Sequence, residues 1–212
     1  MVNKPAGWLS IPGRDSPDGK PSPYPVLSEW ASDDEARFTG VPEGRVWVVH
    51  RLDVETSGVM LFARSAAAHK QAGEWFMKHQ VKKTYDAIAQ GLPGAPVFRV
   101  NEPIEGARAV TQVEVRERLQ GAFLARVRIV TGKRHQIRIH LANSGFPVWG
   151  DERYGGSMKI DLPGGPLSVE RVALHSAKLE LPGGETFEAV WPEDFQRWLT
   201  AARPTGANEW RS

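Results

Sequence analysis

Hydrophobic and polar positions change rhythm several times along the chain. Arg45-Val46-Trp47-Val48-Val49 and Gly58-Val59-Met60-Leu61-Phe62-Ala63-Arg64 carry short apolar runs, and each predicts a buried strand. The period then lengthens. Ala68, Ala72, Trp75 and Phe76 share one face at helical spacing, and Ser65 is placed to cap a helix running to about Lys78. Lys83-Thr84-Tyr85-Asp86-Ala87-Ile88-Ala89 returns to strand. Residues 111–131 read as a hairpin turning at Gln120-Gly121. In its second arm Phe123, Ala125, Val127 and Ile129 alternate with Arg126 and Arg128. Ile137 and Leu141 lie one turn apart, and Asn143-Ser144-Gly145 is a stop signal, so 134–145 predicts a short helix. A last hairpin over 173–191 turns at Pro182-Gly183-Gly184. Pro192, Glu193 and Asp194 suit the first turn of a closing helix. Residues 11–44, rich in Pro, Gly, Asp and Ser, read as an irregular loop, and the Pro-rich stretch 14–25 receives no assignment. Strands outnumber helices in mixed order. The expected class is α+β, a largely antiparallel mixed sheet flanked by helices.

Composition narrows the chemistry. A chain of 212 residues suits a single domain with its own core. The absence of cysteine excludes disulfides, thiolate catalysis and cysteine-held metal centres. No signal peptide and no membrane-length apolar run stands out, so a soluble cytoplasmic protein is expected. The net charge is only +2, so placement matters more than total. Two basic clusters could meet phosphate: Lys78, His79, Lys82 and Lys83, and Lys133, Arg134, His135, Arg138 and His140. His135 and His140 are five residues apart, which is not the one-turn spacing of helical metal ligands.

Two places resist a purely structural reading. Arg51, Asp53 and Glu55 stand between two apolar strands, where a core has no use for them. Lys133 and Arg134 stand at the start of a helix, where the macrodipole disfavours cations by about 0.3–1 kcal/mol each. A helix start with free N–H groups and two cations is a natural phosphate site.

These segments together resemble the RluA-type family of RNA pseudouridine synthases. The family's His-Arg-Leu-Asp and Thr-Ser-Gly signature stands as His50-Arg51-Leu52-Asp53 and Thr56-Ser57-Gly58. Its lysine–x–tyrosine motif stands as Lys83-Thr84-Tyr85. Its third motif matches Arg134-His135-Gln136-Ile137-Arg138-Ile139-His140, with Gly150-Asp151 and Tyr154-Gly155 downstream. The opening Asn3-Lys4-Pro5-Ala6-Gly7 and the closing 174–182 also fit. The similarity runs in family order from about Asn3 to Trp191. It implies the catalytic domain of the family, with no room for the RNA-binding S4 domain that many relatives carry. It implies isomerisation of uridine in structured ribosomal or transfer RNA, with no cofactor, no metal and RNA as partner to a chain expected to act as a monomer. Asp53 would be the catalytic carboxylate, with Arg138 as its paired cation. Tyr85 would lie against the uracil, and Ile137 would wall the pocket. Arg51 would fill the space left by a flipped base. Lys4, Lys82, Lys83, Lys133 and Arg134 would hold phosphates. Asp151 and Tyr154 are expected to fix a loop, and Trp8 and Trp149 are the tryptophans expected near the site.

Two other functions compete. A non-catalytic RNA-binding module would keep the fold without needing Asp53, Tyr85 and Arg138 together. A hydrolase with paired carboxylates would use Asp53 and Glu55, but 54–58 reads as a turn and a hydrolase gives no reason for the basic helix start.

Overall fold

The computed structural model describes residues 1–12, 24–39 and 45–204, with the side chains of 37–39 excepted; residues 14–23 of the Pro-rich stretch lie outside the described residues. In chain order the elements are β1 (Val2–Lys4), α1 (Leu27–Thr39), β2 (Trp47–Val48), β3 (Ser57–Met60), β4 (Phe62–Ala63), α2 (Ala66–Met77), β5 (Lys82–Gln90) and β6 (Val97–Val100). There follow β7 (Thr111–Leu119), β8 (Ala122–Ile129), α3 (Gln136–Asn143), a 3-10 turn (Glu152–Tyr154), β9 (Lys159–Leu162), β10 (Gly165–Ser168), β11 (Leu174–Glu180), β12 (Thr186–Glu188) and α4 (Glu193–Ala202). This is an α+β fold with largely antiparallel pairing. The chain divides into two compact units, Met1–Lys82 with Ser176–Val190, and Lys83–His175 with Trp191–Ser212. Among the described residues no helix is long and apolar enough to cross a membrane.

In the first unit β3 lies between β1 and β11, and β12 pairs with β11. Lys4 stands opposite Gly58 across the β1–β3 ladder. Gly58 has φ +115°, and a Cβ there would collide with the Ser176 backbone, so only glycine lets the chains approach this closely. The core gathers Val59, Leu61, Val81 and Leu179, with Trp75 and Phe76 of α2 and Phe187 packed against it. Fully burying an aliphatic side chain of this size stabilises the fold by about 1.5–3 kcal/mol. The Ser65 hydroxyl accepts from the Ala68 N–H and starts α2 as expected. The apolar run 58–64 is not one strand. At Leu61 the backbone N–H leaves the ladder and donates to His50 Nε2 at 2.9 Å, and the next two residues pair with β2 instead. The expected loop 11–44 also contains a 13-residue helix, α1. Leu27 and Ala31, one turn apart, are buried among its described side chains.

In the second unit β5, β8, β7 and β6 lie side by side, each pair antiparallel. The hairpin turns at Gln120-Gly121, where Gly121 takes φ +66°. Tyr85 faces Val127, which faces Val113, so these three belong to one side of the sheet. Asp86 is buried on β5 and is satisfied from two directions, by Arg126 Nε at 3.1 Å and by Trp191 Nε1 at 2.9 Å. The closing helix α4 buries Phe195, Trp198, Leu199 and Ala202. β6 and the β9–β10 hairpin carry no strong alternation in the sequence and were not expected from it.

Candidate active site

Asp53 sits in a tight turn, where the Thr56 N–H donates to the Asp53 carbonyl at 3.1 Å. Its two neighbours are anchored by the N-terminal segment. The Ser10 hydroxyl accepts from the Leu52 N–H at 2.9 Å and donates to the Leu52 carbonyl at 2.8 Å. The Val54 carbonyl accepts from Lys4 Nζ at 3.0 Å and from the Gly7 N–H at 2.9 Å. The Lys4 ammonium also donates to the carbonyls of Pro5 and Trp8, at 3.0 and 2.8 Å. Leu52 and Ser10 are buried, while Asp53 is half-buried and Arg51 is exposed. The hydrophobic Leu52 therefore roots the turn, with exposed Arg51 and half-buried Asp53 on either side of it. His50, which precedes the turn, is fixed by the Leu61 N–H and stacks on Phe76 with ring centroids 4.8 Å apart. It is a structural hydrogen-bonder, as expected.

This geometry corrects one expectation. Lys4 is 0% exposed and donates to three backbone carbonyls, a placement unlike that of an exposed phosphate-binding lysine. A buried cation is tolerated when its donors are satisfied, and three backbone carbonyls are among its partners here. Lys82, by contrast, is exposed and lies 3.7 Å from Glu180, a pairing of the weak surface kind.

In the second unit Tyr85, Ile137 and Arg138 are all buried. Arg138 projects from α3 and is gripped at two points by Asp151, Nε to Oδ2 and Nη2 to Oδ1, each 2.7 Å. Its guanidinium lies 5.2 Å from the Tyr154 ring centroid, and the Tyr154 hydroxyl is 2.9 Å from His135 Nδ1. Asp151 therefore does more than fix a loop: it orients the arginine. Its own placement depends on Gly150, whose φ of +73° and close approach to the Arg171 backbone leave no room for a side chain.

The basic segment is arranged differently from the expectation. The helix begins at Gln136, after His135 in a left-handed conformation with φ 54°. Lys133 and Arg134 are exposed and precede the helix rather than lying in its first turn. Gln136 holds them there. Its Oε1 accepts from the Thr131 hydroxyl at 2.7 Å and the Lys133 N–H at 3.1 Å. Its Nε2 donates to the Val110 carbonyl at 2.9 Å and the Thr111 hydroxyl at 3.0 Å. Nothing local in the sequence points to this role of Gln136, because two of its partners lie 26 and 25 residues earlier. His140, fully buried, bonds Thr111 and the Glu102 carbonyl, which makes it structural.

Lys83 is the second correction. It is 9% exposed, its Nζ reaches the Thr131 carbonyl at 3.3 Å, and burial holds its pKa below the ordinary lysine value. A desolvated ammonium facing a carbonyl is a poor phosphate ligand. Trp149, expected near the site, is 1% exposed and belongs to the core.

A model of the RNA pseudouridylate synthase family matches residues 1–143. The ribosomal large subunit pseudouridine synthase D of Xylella fastidiosa is 34% identical over 241 residues, covering 100% of this chain and 70% of that relative. The protein of the same description from Pseudomonas aeruginosa is 31% identical over 223 residues, covering 94% and 67%. Among solved structures, human RNA pseudouridylate synthase domain containing 4 superposes with a TM-score of 0.74 at 22% identity, covering 94% of this chain and 88% of that one. At that identity the likeness concerns the fold.

Proposed function

Because the chain belongs to the RNA pseudouridylate synthase family and isomerises uridine in RNA to pseudouridine, we propose that Asp53 is its catalytic carboxylate and that ribosomal RNA is its substrate. The observation that carries the first part is the held turn. An acid with no core role stands half-exposed between two residues whose backbones are fixed. The reaction breaks the bond between uracil N1 and the ribose, turns the base, joins C5 to the ribose and releases the C5 proton. Atoms are conserved, so the demands on the protein are a nucleophile or charge stabiliser, a hold on the base, and a proton acceptor. Asp53 supplies the first. Tyr85 is the proposed contact with the uracil, with Ile137 as an apolar wall, and Arg138 is the proposed cation favouring an ionised carboxylate. Arg51, exposed beside Asp53, is the residue proposed to fill the gap left by the flipped uridine. Lys133 and Arg134, with Lys82, are the proposed phosphate contacts. The names of the relatives support ribosomal RNA over transfer RNA.

Wild type and Asp53→Asn, incubated with ribosomal RNA transcripts, test this reading. Wild type should raise the pseudouridine content of the digested RNA without changing the intact mass, and Asp53→Asn should bind within about tenfold yet turn over slower by several orders of magnitude. Turnover within tenfold of wild type would remove Asp53 from the mechanism. Modification of transfer RNA in place of ribosomal transcripts would overturn the substrate.

A further inference from the structure

The reading of Asp53 as the catalytic carboxylate leaves open what sets its position. We propose that the Ser10 hydroxyl is a positioning group for Asp53. One oxygen closes both backbone groups of Leu52, accepting from the N–H at 2.9 Å and donating to the carbonyl at 2.8 Å. The arrangement uses the full two-sided capacity of a hydroxyl, which no apolar side chain can reproduce. Both residues are buried, Ser10 at 4% and Leu52 at 8%, so water does not replace the bonds in the folded protein. On the other side of Asp53, the Val54 carbonyl is held by Lys4 and Gly7. Asp53 is thus strung between two fixed peptide units, one of them fixed by Ser10 alone among these groups. The segment that carries Ser10 is itself anchored, because Leu9 donates to the Pro25 carbonyl at 2.9 Å and accepts from the Leu27 N–H, the first residue of α1, at 2.8 Å. A displacement of a reacting group by about 1 Å costs about 100-fold in rate while leaving remote binding contacts in place.

The expectation is therefore a loss in the chemical step with binding retained. Single-turnover rate, RNA affinity and melting temperature are measured for wild type, Ser10→Ala, Ser10→Cys, Ser10→Thr and Asp53→Asn, with Ser32→Ala as a control that removes a hydroxyl from α1 in the same unit. Ser10→Ala should slow the step by about 100-fold and change RNA affinity by less than about threefold. Ser10→Thr, which keeps the hydroxyl, should recover the rate to within about tenfold of wild type. Ser10→Cys, a weak donor and acceptor, should fall between. Ser32→Ala should leave the rate unchanged even if it lowers the melting temperature. If Ser10→Ala does not fold, the order Thr above Cys decides the matter. A Ser10→Ala rate within threefold of wild type, a loss matched by equal loss of RNA binding, or Thr no better than Cys would overturn the proposal. A wild-type rate in Asp53→Asn would instead overturn the role of Asp53 and leave Ser10 with nothing to position.

Discussion

Arg138 and Asp151 form a two-point ion pair inside the second unit, with side chains 6% and 0% exposed and both contacts at 2.7 Å. Matched fork geometry satisfies a guanidinium better than a single contact does. Such a pair contributes little net stability against an apolar isostere, but breaking it strands a buried charge.

Asp151→Ala should therefore destabilise the protein by about 3–5 kcal/mol. The double variant Arg138→Met with Asp151→Leu should regain most of that loss. If Arg138 is needed for the chemistry, the regained stability brings no activity with it. Denaturant melts and a pseudouridine assay on the same three proteins check both halves. A double variant that restores turnover would confine Arg138 to a structural role.

The cations divide into exposed and buried groups, and salt dependence separates them. Lys133→Ala and Arg134→Ala should each flatten the plot of log K against log salt by about 0.7–0.9. Lys83→Met should leave the slope unchanged, because its ammonium is desolvated and faces the Thr131 carbonyl. RNA titrations at several salt concentrations provide the slopes. A flattened slope in Lys83→Met would return Lys83 to the phosphate contacts.

Arg51 separates base flipping from chemistry. Keeping a uridine out of a paired stem costs a few kcal/mol, and an unpaired target costs less. Arg51→Ala should slow a structured stem-loop far more than the same sequence with mismatches around the target. Asp53→Asn should slow both alike. Equal slowing of the two RNAs by Arg51→Ala would refute the wedge role.

Asp194 links stability to pH. Burial pushes its carboxyl up, but the Arg171 hydrogen bonds at 2.6 and 2.9 Å and charge, with the Phe195 N–H, outweigh that and hold it below the usual aspartate value. A depressed carboxylate contributes stability above its unfolded pKa, about 3.9, and loses it as pH falls through the lower folded value. Asp194→Asn should lower the melting temperature most near neutrality, and its deficit should shrink steadily below about pH 4. A deficit independent of pH would mean that the loss is one of packing.

Much of the fold could be read from local patterns because those patterns are decided locally. Ser65 caps α2 through its own third neighbour, and Gly121 turns the β7–β8 hairpin through its own φ. The misses were decided at a distance. α1 hides in a Pro-rich region because the buried residues among its described side chains are Leu27 and Ala31, set among charged residues. The break at Leu61 depends on a histidine 11 residues earlier. At the site, the motif residues could be recognised in the sequence, but the surroundings of the lysines could not. Lysine is almost always exposed, so sequence alone offers no reason to bury Lys4 or Lys83. Asp151 lies 13 residues from Arg138, beyond any helical spacing, and only the chain's return brings them together.

The attachment of Val54 to Lys4 and of Leu52 to Ser10 ties the turn at Asp53 to a segment 50 and 42 residues away in sequence. Loss of residues 2–4 would erase β1 and the Lys4 ammonium together. Every recognised motif from His50 onward would survive such a loss, and so would the chain's apparent identity in a sequence comparison. The product would keep those motifs and lose the Lys4 bond that holds the Val54 carbonyl beside Asp53.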